Sequence, residues 1–73
     1  MIDVLEILKR VKDGVDYENE KNLVTDGILT SFDLITLVSI LRDEYDVEVT
    51  VMDFTPENFE SIETITALIE RLK

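Results

Sequence analysis

The sequence predicts an all-α, four-helix bundle made of three main helices and one short helix. Apolar residues recur three and four positions apart in three stretches of the chain, which is the spacing of one buried helix face. The 73 residues are 45% hydrophobic and include only two Gly and one Pro, a composition typical of a compact helical domain. Residues 1–73 are therefore expected to form a single domain, close to the lower size limit for folding on a hydrophobic core alone.

The first helix is predicted to begin after Asp3, which can cap it, with Glu6 at the capping-box position. Gly14 is well placed to end this helix. The apolar stripe is predicted to comprise Ile2, Leu5, Leu8 and Val11, widened by Val4 and Ile7. A mostly polar connection follows over residues 13–30, and its second half is expected to be held to the core by Leu23, Val24, Ile28 and Leu29.

The second helix has the clearest signals. Thr30 can cap it, and Asp33 at the third helical position completes a Thr-x-x-Asp capping box. The helix is expected to fade around Tyr45 and Asp46. Its buried face is predicted to consist of Leu34, Leu37, Val38, Leu41 and Tyr45. Three further apolar residues lie off that stripe, namely Phe32, Ile35 and Ile40.

The segment after the second helix, residues 47–52, alternates and is rich in β-branched residues, so locally it resembles a strand. A lone strand cannot satisfy its ladder hydrogen bonds, so we expect an extended linker held by Val47, Val49 and Met52. Core filling is also the expectation for Phe54. Thr55 and Pro56 then open a short helix over residues 56–59. Ser61 caps the last helix, whose core face is predicted to comprise Ile62, Ile65, Leu68, Ile69 and Leu72.

The charge of the chain restricts its partners. Seventeen acidic and seven basic residues give a net charge of −10, which disfavours nucleic acid and anionic membranes. No stretch approaches the roughly 20 apolar residues needed to span a bilayer, and the N-terminal residues do not show a signal-peptide pattern. We expect a cytoplasmic monomer without a metal site, whose partners are proteins with basic patches.

Ser31 is the residue best placed for covalent chemistry. The sequence has no His, no Cys and no Lys near position 31, so a catalytic base for a serine nucleophile is missing and we do not expect an enzyme. A serine at a helix start is usually a cap, but here Thr30 supplies the cap and leaves Ser31 at the first helical position. The N–H groups and positive dipole end of a helix suit a phosphate ester at that position. Ser31 therefore resembles an attachment point.

Over nearly its whole length, the chain resembles the acyl carrier protein family. The resemblance rests on residues 27–29 (Gly-Ile-Leu), on Ser31 followed by Phe32, on residues 33–38, on the acidic and aromatic helix end at 42–46, and on residues 47–49. It implies one carrier domain over residues 1–73, with 4′-phosphopantetheine transferred from coenzyme A to Ser31 by a phosphopantetheinyl transferase. The thiol of that arm would hold an acyl or aminoacyl group as a thioester, delivered between partner enzymes.

The resemblance also implies a docking surface around the second helix. Residues 31–60 hold eight acidic residues against Arg42 alone, and carrier proteins present such a face to basic partner enzymes. These partners would be the transferase, a loading ligase, and synthase or transferase enzymes with basic docking patches. The implied docking residues are Phe32, Asp33, Ile35, Asp43, Glu44 and Glu48. Two alternatives without a docking role stay open. The acidic face would then be ordinary solvated surface, and Phe32 and Ile35 would belong to the core.

Two features set this chain apart from the usual family pattern. Thr30 stands where the family usually has Asp, a residue thought to help the modifying enzyme engage. The stretch from 52 to 59 is longer than in plain fatty-acid carriers and is more similar to stand-alone aminoacyl carriers, including the D-alanyl type. Fatty acyl, polyketide, amino acid and D-alanine cargoes all stay open. The alternative to a carrier is a small acidic helical interaction module without a prosthetic group.

Overall fold

The computed structural model describes residues 3–73 and confirms the all-α prediction. The elements are α1 (Val4–Val11), α2 (Ser31–Tyr45), a short 3-10 helix (Pro56–Phe59) and α3 (Ile62–Leu72). Within residues 3–73 there is no strand. The predicted linker of residues 47–52 has neither helix nor strand over residues 47–50, and a turn begins at residue 51. Helix α1 contacts both α2 and α3, while the 3-10 helix packs on α3.

Helix α1 begins as predicted, but its core face and its end differ from the prediction. The Asp3 carboxylate accepts a hydrogen bond from the Glu6 N–H at 2.9 Å. The helix ends at Val11, before Gly14, which has φ of 82° in the connection that follows. The buried residues are Val4, Ile7 and Leu8, whereas Leu5 and Val11 are only half-buried; Ile2 lies outside the described residues. The predicted stripe and the buried residues both have helical spacing, so the periodicity of an eight-residue helix could not show which of them faces the core.

Helices α2 and α3 begin at the capping residues predicted for them. Thr30 and Asp33 form a reciprocal capping box at the start of α2, and Ser61 forms one with Thr64 at the start of α3. Helix α2 ends at Tyr45, where Asp46 takes the left-handed conformation with φ of 53°. The buried residues of these two helices are Leu34, Leu37, Leu41, Ile65, Leu68 and Ile69. The remaining predicted core positions are half-buried: Val38, Tyr45, Ile62 and Leu72.

The connection between α1 and α2 contributes more to the core than its polar sequence indicates. Leu23 and Leu29 are buried as predicted, and Val24 and Ile28 are half-buried. Tyr17, which the sequence placed in a polar stretch, is also buried. Its hydroxyl donates to the Lys12 carbonyl oxygen at 2.5 Å, so the ring is buried with its polar end satisfied. Burial raises the pKa of Tyr17, and the nearby carboxylates of Asp33 and Asp13 raise it further.

Glu60 ties this connection to the residues that precede α3. Its carbonyl oxygen accepts from the Leu23 N–H at 2.9 Å. Its carboxylate accepts from the N–H groups of Val24 at 2.8 Å and Thr25 at 3.0 Å, and from the Thr25 hydroxyl. These hydrogen bonds from Thr25 are the main cause of the lowered pKa of Glu60. The bonds join segments about 36 residues apart in the chain.

The lowered pKa of Glu60 gives a testable pH dependence. A carboxyl whose pKa is lower in the folded state stabilises the fold above its ordinary value of 4.5, and that stability is lost as pH falls through the folded pKa. At pH 7, Glu60→Gln is expected to reduce the free energy of unfolding by at most about 1 kcal/mol, because solvent screens the partly exposed carboxylate. Urea unfolding of both proteins between pH 7 and 3 measures the difference, which should shrink below pH 4.5.

Glu57→Gln is the matched control, because Glu57 is exposed and lies three residues before Glu60, and its substitution removes the same charge. Its effect on stability should be zero or slightly favourable at pH 7, since the chain carries a large negative charge. Equal effects of the two substitutions would contradict the structural role of Glu60.

Candidate functional site

Ser31 is the first residue of α2, and its side chain is exposed. The helix is capped by Thr30 and Asp33 instead. Thr30 Oγ1 accepts from the Asp33 N–H at 3.2 Å, and Asp33 Oδ2 accepts from the Thr30 N–H at 3.0 Å. Thr30 Oγ1 also donates to Asp33 Oδ2 at 3.1 Å. Within residues 3–73 the hydroxyl of Ser31 makes no hydrogen bond. It is therefore open to an incoming group.

The helix start gives Ser31 a favourable environment for a phosphate ester. The capping box satisfies the N–H groups of Thr30 and Asp33. The N–H groups of Ser31 and Phe32 also belong to the first turn, where the helix itself provides no acceptor. Helix α2 has 15 residues, and its dipole places partial positive charge at this end. The residues present thus fit a covalently attached phosphate group.

The loop that leads into α2 holds Ser31 in place. The Leu29 N–H donates to the Leu23 carbonyl oxygen at 2.9 Å, which closes the loop just before the helix. Gly27 has φ of 73°, a conformation that side chains other than glycine rarely adopt. Lys12 Nζ donates to the Ile28 carbonyl oxygen at 2.9 Å and so connects the end of α1 to this loop. Ser31 is therefore presented by an ordered turn.

Two large apolar side chains flank the serine on the surface. Phe32 is 78% exposed and Ile35 is 63% exposed. The core alternative for these two residues is therefore wrong. They lie on the outer side of α2, while Leu34, Leu37 and Leu41 face the core.

The predicted acidic residues are spread along α2 and the linker that follows it. Asp33 is half-buried at the serine end, where its carboxylate is engaged with Thr30. Asp43 and Glu48 line one open cleft of about 430 Å³ at the other end of the helix, together with Arg42. Glu44 is half-buried and is not among the residues that line this cleft. The helix rise of about 1.5 Å per residue puts Asp43 roughly 18 Å from Ser31.

In the loop after α2, Met52 and Phe54 do not fill the core, so the prediction for these two residues is wrong. Val47 is buried and Val49 is half-buried, as the linker prediction required. Met52, however, is 85% exposed, and Val51 beside it is 89% exposed. Phe54 is also partly exposed, although its ring lies 5.8 Å from the ring of Phe59. A turn over residues 51–53 directs these side chains outward, and short apolar runs in a sequence do not reveal such a turn.

Two other kinds of site receive no support from residues 3–73. No group of three or more acidic side chains in this range is arranged to hold a metal ion. The helices described here are too short or too polar to cross a bilayer.

Comparison with known proteins adds an independent result. A model of the family described as "Phosphopantetheine attachment site" matches residues 3–72. The chain is 32% identical to the D-alanyl carrier protein of Staphylococcus saprophyticus over 72 residues. This alignment covers 96% of this chain and 92% of the relative. It is 33% identical over 63 residues to aminoacyl carrier protein 1 of Bradyrhizobium diazoefficiens, covering 86% and 69%. It is 32% identical over 68 residues to the probable acyl carrier protein PigG of a Serratia species, covering 93% and 76%.

The acidic surface around α2 predicts a salt-dependent stability. Residues 31–60 carry eight acidic residues and one basic residue, so mutual repulsion opposes the folded state. Raising NaCl from about 10 mM to about 500 mM shortens the Debye length from roughly 30 Å to below 8 Å. The melting temperature is expected to rise by several degrees, and a few millimolar Mg²⁺ should act similarly. Circular dichroism at increasing salt measures this effect.

Asp43→Asn/Glu48→Gln is the control for this prediction. Both residues lie in the exposed acidic cleft, so their neutralisation should raise the melting temperature at low salt and reduce its salt dependence. A melting temperature indifferent to salt in both proteins would contradict the repulsion argument.

Proposed function

We propose, since this chain belongs to the family of phosphopantetheine-bearing carrier proteins, that Ser31 is the residue to which the arm is attached. The observation that carries this assignment is the free, exposed hydroxyl of Ser31 at a helix start that Thr30 and Asp33 already cap. The chain carries acyl or aminoacyl groups and is not expected to catalyse a reaction itself. When attached, the arm supplies a thiol, a group that the Cys-free chain lacks.

Thr30 and Asp33 act as positioning residues in this proposal. Their reciprocal hydrogen bonds fix the first turn of α2, and so fix the direction in which the Ser31 hydroxyl is presented. Thr30 replaces the Asp usual in the family and keeps the capping role. The phosphodiester formed on Ser31 would lie beside the backbone N–H groups of the first turn, which suits its negative charge.

The docking surface belongs to the same proposal. Partner enzymes are expected to contact the apolar side chains of Phe32 and Ile35 next to Ser31 and to place Lys and Arg against the acidic residues of α2 and of the linker after it. The partners are a phosphopantetheinyl transferase, a loading ligase, and synthase or transferase enzymes that use the loaded group. The acidic contacts proposed are Asp33, Asp43, Glu44 and Glu48.

The cargo proposed is an aminoacyl group. The similarity to a D-alanyl carrier protein and to an aminoacyl carrier protein favours it, and the similarity to a probable acyl carrier protein keeps an acyl cargo as the second candidate. The cytoplasmic location and the monomeric state expected from the sequence remain part of the proposal.

Intact mass spectrometry tests the attachment site. The unmodified protein is incubated with coenzyme A, Mg²⁺ and a broad-specificity phosphopantetheinyl transferase. The wild type is expected to gain one phosphopantetheine, and Ser31→Ala is expected to gain none. Ser39→Ala is the matched control, because Ser39 is also exposed on α2 and its loss should leave modification intact.

Other outcomes would redirect the proposal. Modification of Ser31→Ala would move the attachment to another residue. Absence of modification in the wild type under several transferases would favour the interaction module without a prosthetic group.

Charge reversal tests the docking surface. Asp43→Lys/Glu48→Lys is expected to raise the transferase KM for this protein by about tenfold at low salt with kcat unchanged, because like charges slow association. The increase should diminish at high salt. Glu18→Lys/Glu70→Lys reverses the same charge at two exposed positions outside α2 and the linker after it, and should have a much smaller effect. Equal effects of the two pairs would mean that only net charge matters.

A further inference from the structure

The loop that leads to Ser31 consists of residues 22–29, and we call this segment the presenting loop. Its two ends are held by the burial of Leu23 and Leu29, whereas residues 25–27 between them are exposed. Burial of apolar side chains is not directional, so it does not fix how the exposed part of the loop is oriented. That orientation depends on hydrogen bonds between the loop and the rest of the fold.

Glu60 supplies most of the hydrogen bonds that join the presenting loop to another element. Its carbonyl oxygen accepts from the Leu23 N–H at 2.9 Å. Its carboxylate accepts from the N–H groups of Val24 at 2.8 Å and Thr25 at 3.0 Å, and from the Thr25 hydroxyl. One residue thus engages three consecutive backbone N–H groups of the loop.

Glu60 is itself held in place on both sides. Phe59 before it is 0% exposed, and Ser61 after it is 4% exposed. Ser61 Oγ accepts from the Thr64 N–H at 3.2 Å and so caps α3. The carboxylate of Glu60 is therefore attached to a fixed part of the fold, and it connects the start of α3 to the presenting loop.

Lys12 provides a second and weaker attachment. Its Nζ donates to the Ile28 carbonyl oxygen at 2.9 Å. Within residues 3–73 this is the other hydrogen bond that reaches residues 22–29 from beyond the α1–α2 connection. The Lys12 side chain is exposed and makes one bond, so the entropy lost by its four-carbon chain offsets much of the gain. Glu60 is consequently the principal anchor of the loop.

The orientation that Glu60 imposes reaches Ser31 through two short steps. Leu23, which Glu60 holds, accepts from the Leu29 N–H at 2.9 Å. Leu29 is followed by Thr30, the cap of α2, and then by Ser31. Transfer of a group to a hydroxyl requires the oxygen in an attacking position, and a misplacement of about 1 Å can cost about a hundredfold in rate.

We propose that Glu60 is a positioning residue for the modification of Ser31: its carboxylate holds the presenting loop in the orientation from which the Ser31 hydroxyl reaches coenzyme A on the transferase. This inference rests on the proposed function of Ser31. In that reaction the Ser31 oxygen forms a bond to the phosphorus that carries pantetheine. The diphosphate bond of coenzyme A breaks, adenosine 3′,5′-bisphosphate leaves, and the hydroxyl proton is released. Glu60 takes no part in these bond changes.

Single-turnover kinetics, with the transferase in excess over the full-length protein, test the inference. Glu60→Ala removes the carboxylate and is expected to lower the maximal transfer rate about tenfold. The transferase concentration that gives half of this rate should not change, because the proposed docking residues stay in place. Glu60→Gln keeps an oxygen that can accept from the Val24 and Thr25 N–H groups, so it should restore most of the rate.

Leu72→Ala controls for a simple loss of stability. Leu72 is half-buried and is the last residue of α3, whereas Glu60 precedes the first. This substitution is expected to lower the melting temperature by loss of packing, at the end of α3 remote from Glu60. At a temperature where circular dichroism shows all variants folded, Leu72→Ala should be modified at the wild-type rate.

Amide hydrogen exchange reports on the presenting loop without any transferase. Glu60→Ala is expected to speed exchange of the Leu29 amide about tenfold more than that of Leu37, which is buried in the middle of α2. Leu72→Ala should speed exchange at Leu29 no more than at Leu37. The difference between the two variants identifies a local release of the loop.

The outcomes separate this inference from the proposed function. A wild-type maximal rate for folded Glu60→Ala would overturn the inference and leave the Ser31 assignment intact, as would an equal loss of rate in Leu72→Ala. A higher half-saturating concentration at an unchanged rate would make Glu60 a docking contact and would also overturn it. Slower transfer without faster exchange at Leu29 would do the same, because the loop would then not be involved. Wild-type protein that no transferase modifies would reject the proposed function, and the inference would fall with it.

Discussion

The capping of α2 by Thr30 is the interaction on which the candidate site depends. A helix start needs a side-chain acceptor for its unpaired N–H groups, and Ser is one of the residues that usually provide it. Here the Thr30 hydroxyl and the Asp33 carboxylate provide it between them. The Ser31 hydroxyl is consequently not needed for the stability of α2. Thr30 and Asp33 stabilise the helix start, and Ser31 is left available for covalent attachment.

The parts of this fold that could be predicted from the sequence are those that depend on neighbouring residues. The caps at Asp3, Thr30 and Ser61 each require one partner three residues away, and all three are present. Contacts between residues that only the tertiary structure brings together could not be predicted from the sequence. Tyr17 has polar neighbours in the sequence but is buried, and Glu60 bonds to residues 23–25.

Exposure was harder to predict than secondary structure. Met52 and Phe54 are apolar and follow a helix, which is compatible both with packing and with presentation on a surface. The turn over residues 51–53 decides between the two, because its hydrogen bonds hold the side chains away from the core. Likewise, α1 has two apolar sets at helical spacing, and only its contacts with α2 and α3 select Val4, Ile7 and Leu8.

The small size of the chain explains why its function lies on the surface. Each main helix uses one face for the core, and the largest fully buried side chains, including Tyr17 and Phe59, fill the interior. A domain near the lower size limit cannot give up that packing for a ligand pocket without losing much of its stability. Recognition must then use the residues that the core does not need. The recognition surface proposed above is drawn from the exposed apolar side chains between residues 32 and 54 and the acidic residues among them, a stretch that begins next to Ser31.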